Sequence, residues 1–368
     1  MPRMNAAEAV CLADFEAPAR ERVSPMAWEY INGGAGDEIS LRWNGEAWQS
    51  LRLLPRVLVD VSHLDTQITL FGQDMAHPIL LAPAAYHRLL HPDGELATVR
   101  GAGASGATMV VSTLATVPIE DIVQAASQPV WFQLYVQTDR SFTRDLVQRA
   151  EEAGCKALCV TVDTPVGGAR NRETRVKFAL PAGMSLPNLR GLVEPASDHA
   201  TDQQTIYGKL FEPALTWRDI EWLCSLARVP VLLKGVLAAD DAACAVAAGA
   251  AGLIVSNHGA RNLDTVVATA DVLPRIVETV AGRVPVLVDG GIRRGTDLLK
   301  ALALGASAVL LGRPYLYALG AAGQEGVTCA VSILRREFEM AMALTGRTSI
   351  SKIDRSVLWP CSRSNPSS

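Results

Sequence analysis

Aromatic residues make up only 5% of this 368-residue chain, and no cationic excess accompanies them: the formal net charge is -4 and the pI about 5.9. A nucleic-acid interface needs a basic stripe or stacking rings, and the sequence offers neither. Long apolar runs are also missing. Each is broken by Gly, Pro or charge well short of the ~20 residues that span a bilayer, so no membrane partner is expected. The opening residues, MPRMNAAEAVCLADF, lack the apolar core of a targeting signal and carry Glu8 and Asp14. The final NPSS is not the peroxisomal tripeptide address. Cysteine is scarce and scattered, at 11, 155, 159, 224, 244, 329 and 361, with an odd count of 7 and no CxxC. That spacing excludes a closed metal site and argues against a disulfide framework. Cys155, Cys159 and Cys244 sit in apolar runs and are expected to be buried and reduced, so a cytoplasmic location is the expectation.

What the sequence does have is a repeat. Hydrophobic residues make up 49% of the chain, and from residue 79 onward β-rich apolar runs alternate with Ala-rich amphipathic stretches. The runs are ILLAPAA (79–85), TMVVST (108–113), VWFQLYV (130–136), ALCVTVD (157–163), VPVLLKG (229–235), GLIVSNHG (252–259), VPVLVDGG (284–291) and AVLLGRP (308–314). Between them, SFTRDLVQRAEEAG (141–154) and RGTDLLKALALGA (294–306) show three- and four-residue apolar spacing, which predicts helices. Gly154, Gly249 and Gly305 stand where such helices should stop. Apolar strands covered on both faces are parallel. Eight strictly alternating units predict an α/β fold, a (β/α)8 barrel. The alternative, an open doubly wound sheet, wants a glycine fingerprint after the first strand, and APAAYHRL has none. The whole chain, 1–368, reads as one domain. Residues 1–78 form an N-terminal helical cap and a hairpin, 79–345 the barrel, 164–216 a long loop insertion after the fourth strand, and 346–368 a C-terminal tail.

Barrels place reactive groups at the carboxyl ends of their strands. There the sequence sets Gln133 and Tyr135, Thr161 and Asp163, Lys234, then Ser256, Asn257 and His258 with Arg261 just beyond. Asp289-Gly290-Gly291 with Arg293 ends the seventh strand, and Gly312-Arg313 the eighth. Two Gly-rich turns, each with an Arg and a following helix N-terminus, make an anion site. Arg261 and Arg170 suit a carboxylate, which a guanidinium grips with two hydrogen bonds. A His beside that fork can take a proton from a group on the carboxylate-bearing carbon. Asp163 either orients this imidazole or caps a turn. Lys234 is a Schiff-base nucleophile, a counter-charge to a reduced cofactor, or a strand-end lysine that snorkels.

Together the blocks KG (234–235), SNHGARNLD (256–264), DGGIRRGTDLLKALALGA (289–306) and GRP (312–314) resemble the FMN-dependent 2-hydroxy-acid oxidase and dehydrogenase family, from about Trp28 to Ile353. The resemblance implies FMN as cofactor, a small (S)-2-hydroxy acid as substrate, dioxygen as reoxidant with peroxide as product, and a homotetramer. It implies His258 as base, with Asp163 as its partner. Arg170, Arg261 and Tyr30 would bind the substrate carboxylate, and Tyr135 the hydroxyl oxygen. Pro83, Ala84 and Ala85 would pass the flavin N5 edge. Ser112, Gln133 and Thr161 would contact the ring, and Lys234 the N1 and O2 region. Ser256, Asp289, Gly290, Gly291, Arg293, Gly312 and Arg313 would hold the ribityl chain and phosphate. Leu114 stands where glycolate oxidases carry Trp, and Tyr86 where they carry Met. The run APAAYHRLLHPDGE looks like that of bacterial 4-hydroxymandelate oxidases. Both features predict an aromatic acid, mandelate or 4-hydroxymandelate. The alternatives are an aliphatic acid such as lactate or glycolate, a dehydrogenase with another electron acceptor, and an FMN-barrel isomerase of the isopentenyl diphosphate type, which would lack the carboxylate clamp. The polar residues Asp198, His199, Asp202, Gln203 and Gln204 are unlike the membrane segment that some mandelate dehydrogenases carry in this loop.

Overall fold

The structure is a computed structural model that describes residues 4–192, 206 and 212–360. The polar run 198–204, Cys361 and the last residues of the tail lie outside the described residues. Two short strands, β1 (Ile68–Leu70) and β2 (Gln73–Met75), pair antiparallel as the expected hairpin. Eight more follow: β3 (Ile79–Leu81), β4 (Thr108–Ser112), β5 (Val130–Leu134), β6 (Leu158–Thr161), β7 (Val231–Val236), β8 (Gly252–Val255), β9 (Val286–Val288) and β10 (Ala308–Leu311). They close into a barrel in sequence order, each parallel to its neighbours.

Each strand lies within one of the eight apolar runs or overruns it by one residue, and most are shorter than the run. The first is cut at Leu81 because Pro83 has no N–H for the ladder. Lys234 lies inside β7, which continues to Val236, rather than at its end. Helices cover the outside, among them Arg140–Ala153 and Gly295–Ala303 at the predicted places. Gly154, Gly249 and Gly305 all have left-handed φ (106°, 91° and 102°), which ends the helix before each strand. One expectation fails. Cys155 and Cys159 are buried, but Cys244 is exposed. It lies on Ala239–Ala247, where small residues all round the helix hide which face is outward.

Successive side chains on a strand point to opposite faces. The inward set begins apolar, with Val110, Trp131, Cys159, Leu232, Ile254 and Leu287 fully buried. Leu70 and Met75 of the hairpin close this lower end. Trp131 is the largest side chain there; its Nε1 donates to Gln73 Oε1 (3.1 Å), and Phe71 meets its ring edge-on. Two residues further along each strand the same inward parity gives Ser112, Gln133, Thr161, Lys234, Ser256 and Asp289. The barrel is therefore an apolar plug beneath a polar floor. At the carboxyl end the N-terminal helices Pro25–Asn32 and Ile39–Ser50 lie over the rim: Asn44 and Asn257 exchange two amide hydrogen bonds (2.9 and 2.8 Å). Among the described residues no helix is long and apolar enough to cross a membrane.

Trp131→Ala should lower stability by about 3–5 kcal/mol, because the cavity it leaves is ringed by barrel strands that cannot collapse. Chemical denaturation of wild type and variant measures this, and a loss below ~1 kcal/mol would show that the plug does not hold the barrel.

Candidate active site

A cavity of about 460 Å³ opens at the carboxyl ends of the strands. Every residue given a role by the resemblance lines it except Asp163 and Ser256. Those two stand directly behind it, Asp163 on His258 and Ser256 on Lys234. Leu114 and Tyr86 line it as well. Arg170 and Arg261 also face it, which is not the arrangement the isomerase alternative requires.

His258 sits in the turn after β8. Its Nδ1 lies 2.8 Å from Asp163 Oδ1, so Nδ1–H donates to the carboxylate and the Nε2 lone pair faces the cavity. Tyr135 OH is 3.5 Å from Nε2. Burial pushes the imidazole below its ordinary value of 6.5, against the raising influence of Asp163, so the ring is a neutral base at pH 7. Burial raises the Asp163 carboxyl, yet His258 and Lys234 together hold it below the usual carboxylate range. Gly235 explains the KG pair: a Cβ there would lie 2.5 Å from Asp163 Cβ, and its φ is 112°. Asn262 was not picked out from the sequence. Its Nδ2 donates to Asp163 O and to Thr164 Oγ1 (both 2.8 Å), locking the carboxylate's backbone.

The second cluster is cationic. Arg261 Nη1 donates to the carbonyls of Tyr30 (2.6 Å) and Gly33 (2.9 Å), and its guanidinium lies 5.0 Å from the centre of the Tyr30 ring. Arg170 donates to Arg261 O and Asn262 Oδ1 (both 3.3 Å). Glu173, also missed, bridges the two guanidiniums. It lies three residues after Arg170 on the short helix Asn171–Arg175, a spacing at which side chains meet. Phe178 stacks on Tyr30 with ring centres 4.4 Å apart, and Tyr86 lies 5.4 Å from Tyr30. No sequence spacing announces Phe178.

Lys234 Nζ is 2.9 Å from Ser256 Oγ and 3.2 Å from Asp289 Oδ2. Burial disfavours its charge, but Asp289 and Asp163 more than restore it, so the ammonium persists to high pH. A Schiff-base nucleophile needs a neutral amine, so the counter-charge reading is the one this environment supports. Asp289 Oδ1 is buried with no hydrogen-bond partner and lines the same cavity, as a group awaiting a hydroxyl donor would. The anion site differs in detail from the expectation. Asp297 already takes the backbone N–H groups of Arg293 and Arg294 (3.0 Å each), so that helix start is capped from within. Arg313 spends its guanidinium on three carbonyls, of Ile31, Gly259 and Gly33 (2.8–3.1 Å). Carbonyls are dipoles, not charges. Burial, with Arg261 and Arg293 nearby, pulls Arg313 down to about 9. A phosphate would relieve that surplus of positive charge, and the polar floor of Ser112, Gln133 and Thr161 suits a hydrogen-bonding ring. The residues fit FMN.

Comparison with known proteins agrees. The sequence pattern of the FMN-dependent dehydrogenase family matches residues 19–360. L-lactate oxidase of Nostoc sp. is 47% identical over 94% of this chain and 97% of its own. Glycolate oxidase 3 of Arabidopsis thaliana is 45% identical over 93% of this chain and 94% of its own. The crystal structure of mandelate oxidase with benzoyl-formic acid superposes with a TM-score of 0.86 at 42% identity, covering 95% of this chain and 98% of that one. With the fold in agreement, the chain belongs to the FMN-dependent dehydrogenase family, as an FMN flavoenzyme of its 2-hydroxy-acid oxidase group.

Proposed function

We propose that the enzyme oxidises an aromatic (S)-2-hydroxy acid, mandelate or 4-hydroxymandelate, to the 2-oxo acid, with dioxygen taking the electrons and leaving as hydrogen peroxide. The observation that carries the reaction is the His258–Asp163 pair beside Arg170 and Arg261 in one cavity. The substrate carboxylate lies against the two guanidiniums, and Tyr30 flanks it. That fixes the hydroxyl-bearing carbon beside Nε2 of His258. Tyr135 contacts the hydroxyl oxygen. Nε2 receives a proton, from the hydroxyl in a hydride route or from the carbon in a carbanion route, and Asp163 stabilises the imidazolium formed. FMN would be held by Pro83–Ala85, the polar floor, Lys234 and the two turns after β9 and β10, and would supply the two-electron acceptor. Lys234 answers the negative charge that reduction brings.

The aromatic reading rests on Tyr86, Phe178 and Tyr30, three rings within reach of one another at the cavity, beside the short side chain of Leu114. Rings pack on rings at these distances. Mandelate oxidase, solved with benzoyl-formic acid, is consistent with it. The second reading, an aliphatic acid, is favoured by the 47% identity to a lactate oxidase. A cytoplasmic homotetramer completes the proposal; the tetramer rests on the resemblance and the location on the scattered cysteines.

Three outcomes test this. First, kcat/KM must rise with pH through the His258 titration, because only the neutral ring accepts a proton. The limb should fall below 6.5, the ordinary imidazole value. His258→Ala should keep FMN and slow flavin reduction by at least about 100-fold. A limb above 6.5, or normal reduction in the variant, removes His258 from its role. Second, Arg261→Lys should raise KM by about 10-fold or more, since an ammonium lacks the planar fork. An unchanged KM means the carboxylate binds elsewhere. Third, Leu114→Trp should reduce kcat/KM for mandelate relative to lactate by about 10–200-fold, by filling the side-chain pocket. Equal loss for both acids would place the ring elsewhere.

A further inference from the structure

Glu173 takes no part in the chemistry above, yet its carboxylate stands between the two guanidiniums. Oε1 lies 2.9 Å from Arg261 Nη2, and Oε2 lies 3.5 Å from Arg170 Nη1. The three side chains are sheltered: Glu173 and Arg261 are 14% exposed and Arg170 23%. Among the described residues no other carboxylate is within ion-pair distance of either arginine. The remaining partners of these guanidiniums are neutral oxygens, on Tyr30, Gly33, Arg261 and Asn262. Two guanidiniums and one carboxylate leave this corner with a single net positive charge. Of the neighbouring charges, Arg313 lies close enough to Arg261 to repel it, and with Arg293 it is assigned to the cofactor phosphate. Lys234 is matched by Asp289, and Asp163 brings a further negative charge behind the imidazole.

We propose that Glu173 is a specificity-determining residue that restricts the enzyme to 2-hydroxy monocarboxylates. A monocarboxylate matches the corner's charge of one. A second carboxylate on the substrate would enter a buried site whose cations are already balanced, and a buried unpaired charge is heavily disfavoured. Glu173 need not leave for this, since each guanidinium has five N–H donors and keeps some for the substrate. The inference rests on Arg170 and Arg261 holding the substrate carboxylate.

The test titrates FMN-loaded enzyme with phenylacetate and with phenylmalonate, which differ by one carboxylate, by calorimetry at a pH where every carboxylate is ionised. Wild type should prefer phenylacetate. Glu173→Gln should shift the ratio of dissociation constants toward phenylmalonate by about 10-fold or more, equivalent to about 1.4 kcal/mol. Glu173→Ser is prepared in parallel, so that a folding failure of one neutral variant leaves the test intact. Glu173→Asp, which keeps the charge, should keep the wild-type preference. If the neutral variants bind both ligands tighter with an unchanged ratio, Glu173 is a displaceable competitor and the proposal is overturned. If both ligands weaken together, it only positions the arginines, and the proposal is again overturned. Arg261→Lys separates the two levels. Unchanged phenylacetate affinity there removes the carboxylate clamp itself. Weakened affinity there, with an unmoved ratio in Glu173→Gln, removes this inference alone.

Discussion

The bond from His258 Nδ1–H to Asp163 Oδ1 is the contact on which the rest of the site depends. It chooses the tautomer, aims Nε2 at the cavity and supplies a negative charge that partly offsets the cost of burial to the protonated ring. The two residues come from different strands, so the bond exists only if the segments after β6 and β8 approach across β7. That approach is possible because β7 carries Gly235, where any side chain would strike Asp163. One missing methyl group thus sets the distance between base and carboxylate.

The turn that presents His258 is under conformational strain. His258, Gly259 and Ala260 all adopt left-handed φ, 57°, 61° and 59°. For residues with a Cβ this costs roughly 1–2 kcal/mol each. Such a turn persists only where its surroundings over-determine it. Here they do. Ser256 Oγ accepts from His258 N, Asn257 Oδ1 accepts from Ala260 N, and Ala260 O accepts from Ala35 N. Gly259 O accepts from Arg313. Asn257 is itself pinned by Asn44. The N-terminal helices are therefore part of the active site's frame, and Arg313, through Ile31 and Gly33, ties the same helices to the barrel.

Much of this could be read from the residues. Eight apolar runs announced eight strands, and their polar ends announced one reactive face, because parity along a strand is fixed by geometry. Strand ends were less legible. Residues such as Pro83 end the ladder for backbone reasons, while their neighbours remain apolar. The groups that depend on loop conformation stayed hidden. Phe178 reaches Tyr30 through an irregular segment with no period to read. Asn262 acts through the backbone oxygen of Asp163, which any sequence possesses, and through the Thr164 hydroxyl. Asp297 takes N–H groups that the sequence reading assigned to an anion, since a capping carboxylate and a bound phosphate compete for the same helix start. Cys244 misled because an Ala-rich helix shows no apolar stripe to orient it.

The same residues divide the barrel into regions with different freedom to vary. The lower interior is a close-packed plug, where any change in volume is felt throughout the ring of strands. Above it, Lys234, Asp289 and Ser256 form a buried charged network whose members cannot change singly without leaving an uncompensated charge. Leu114, Tyr86 and Phe178, which line the cavity, belong to neither region and sit on loops. Arg170, Glu173 and Arg261 lie between: their opposite charges stand together, and Arg261 follows directly on the strained turn of His258, Gly259 and Ala260. On the proposed function, the reacting groups stand at or just beyond the strand ends, and selectivity is left to the loops.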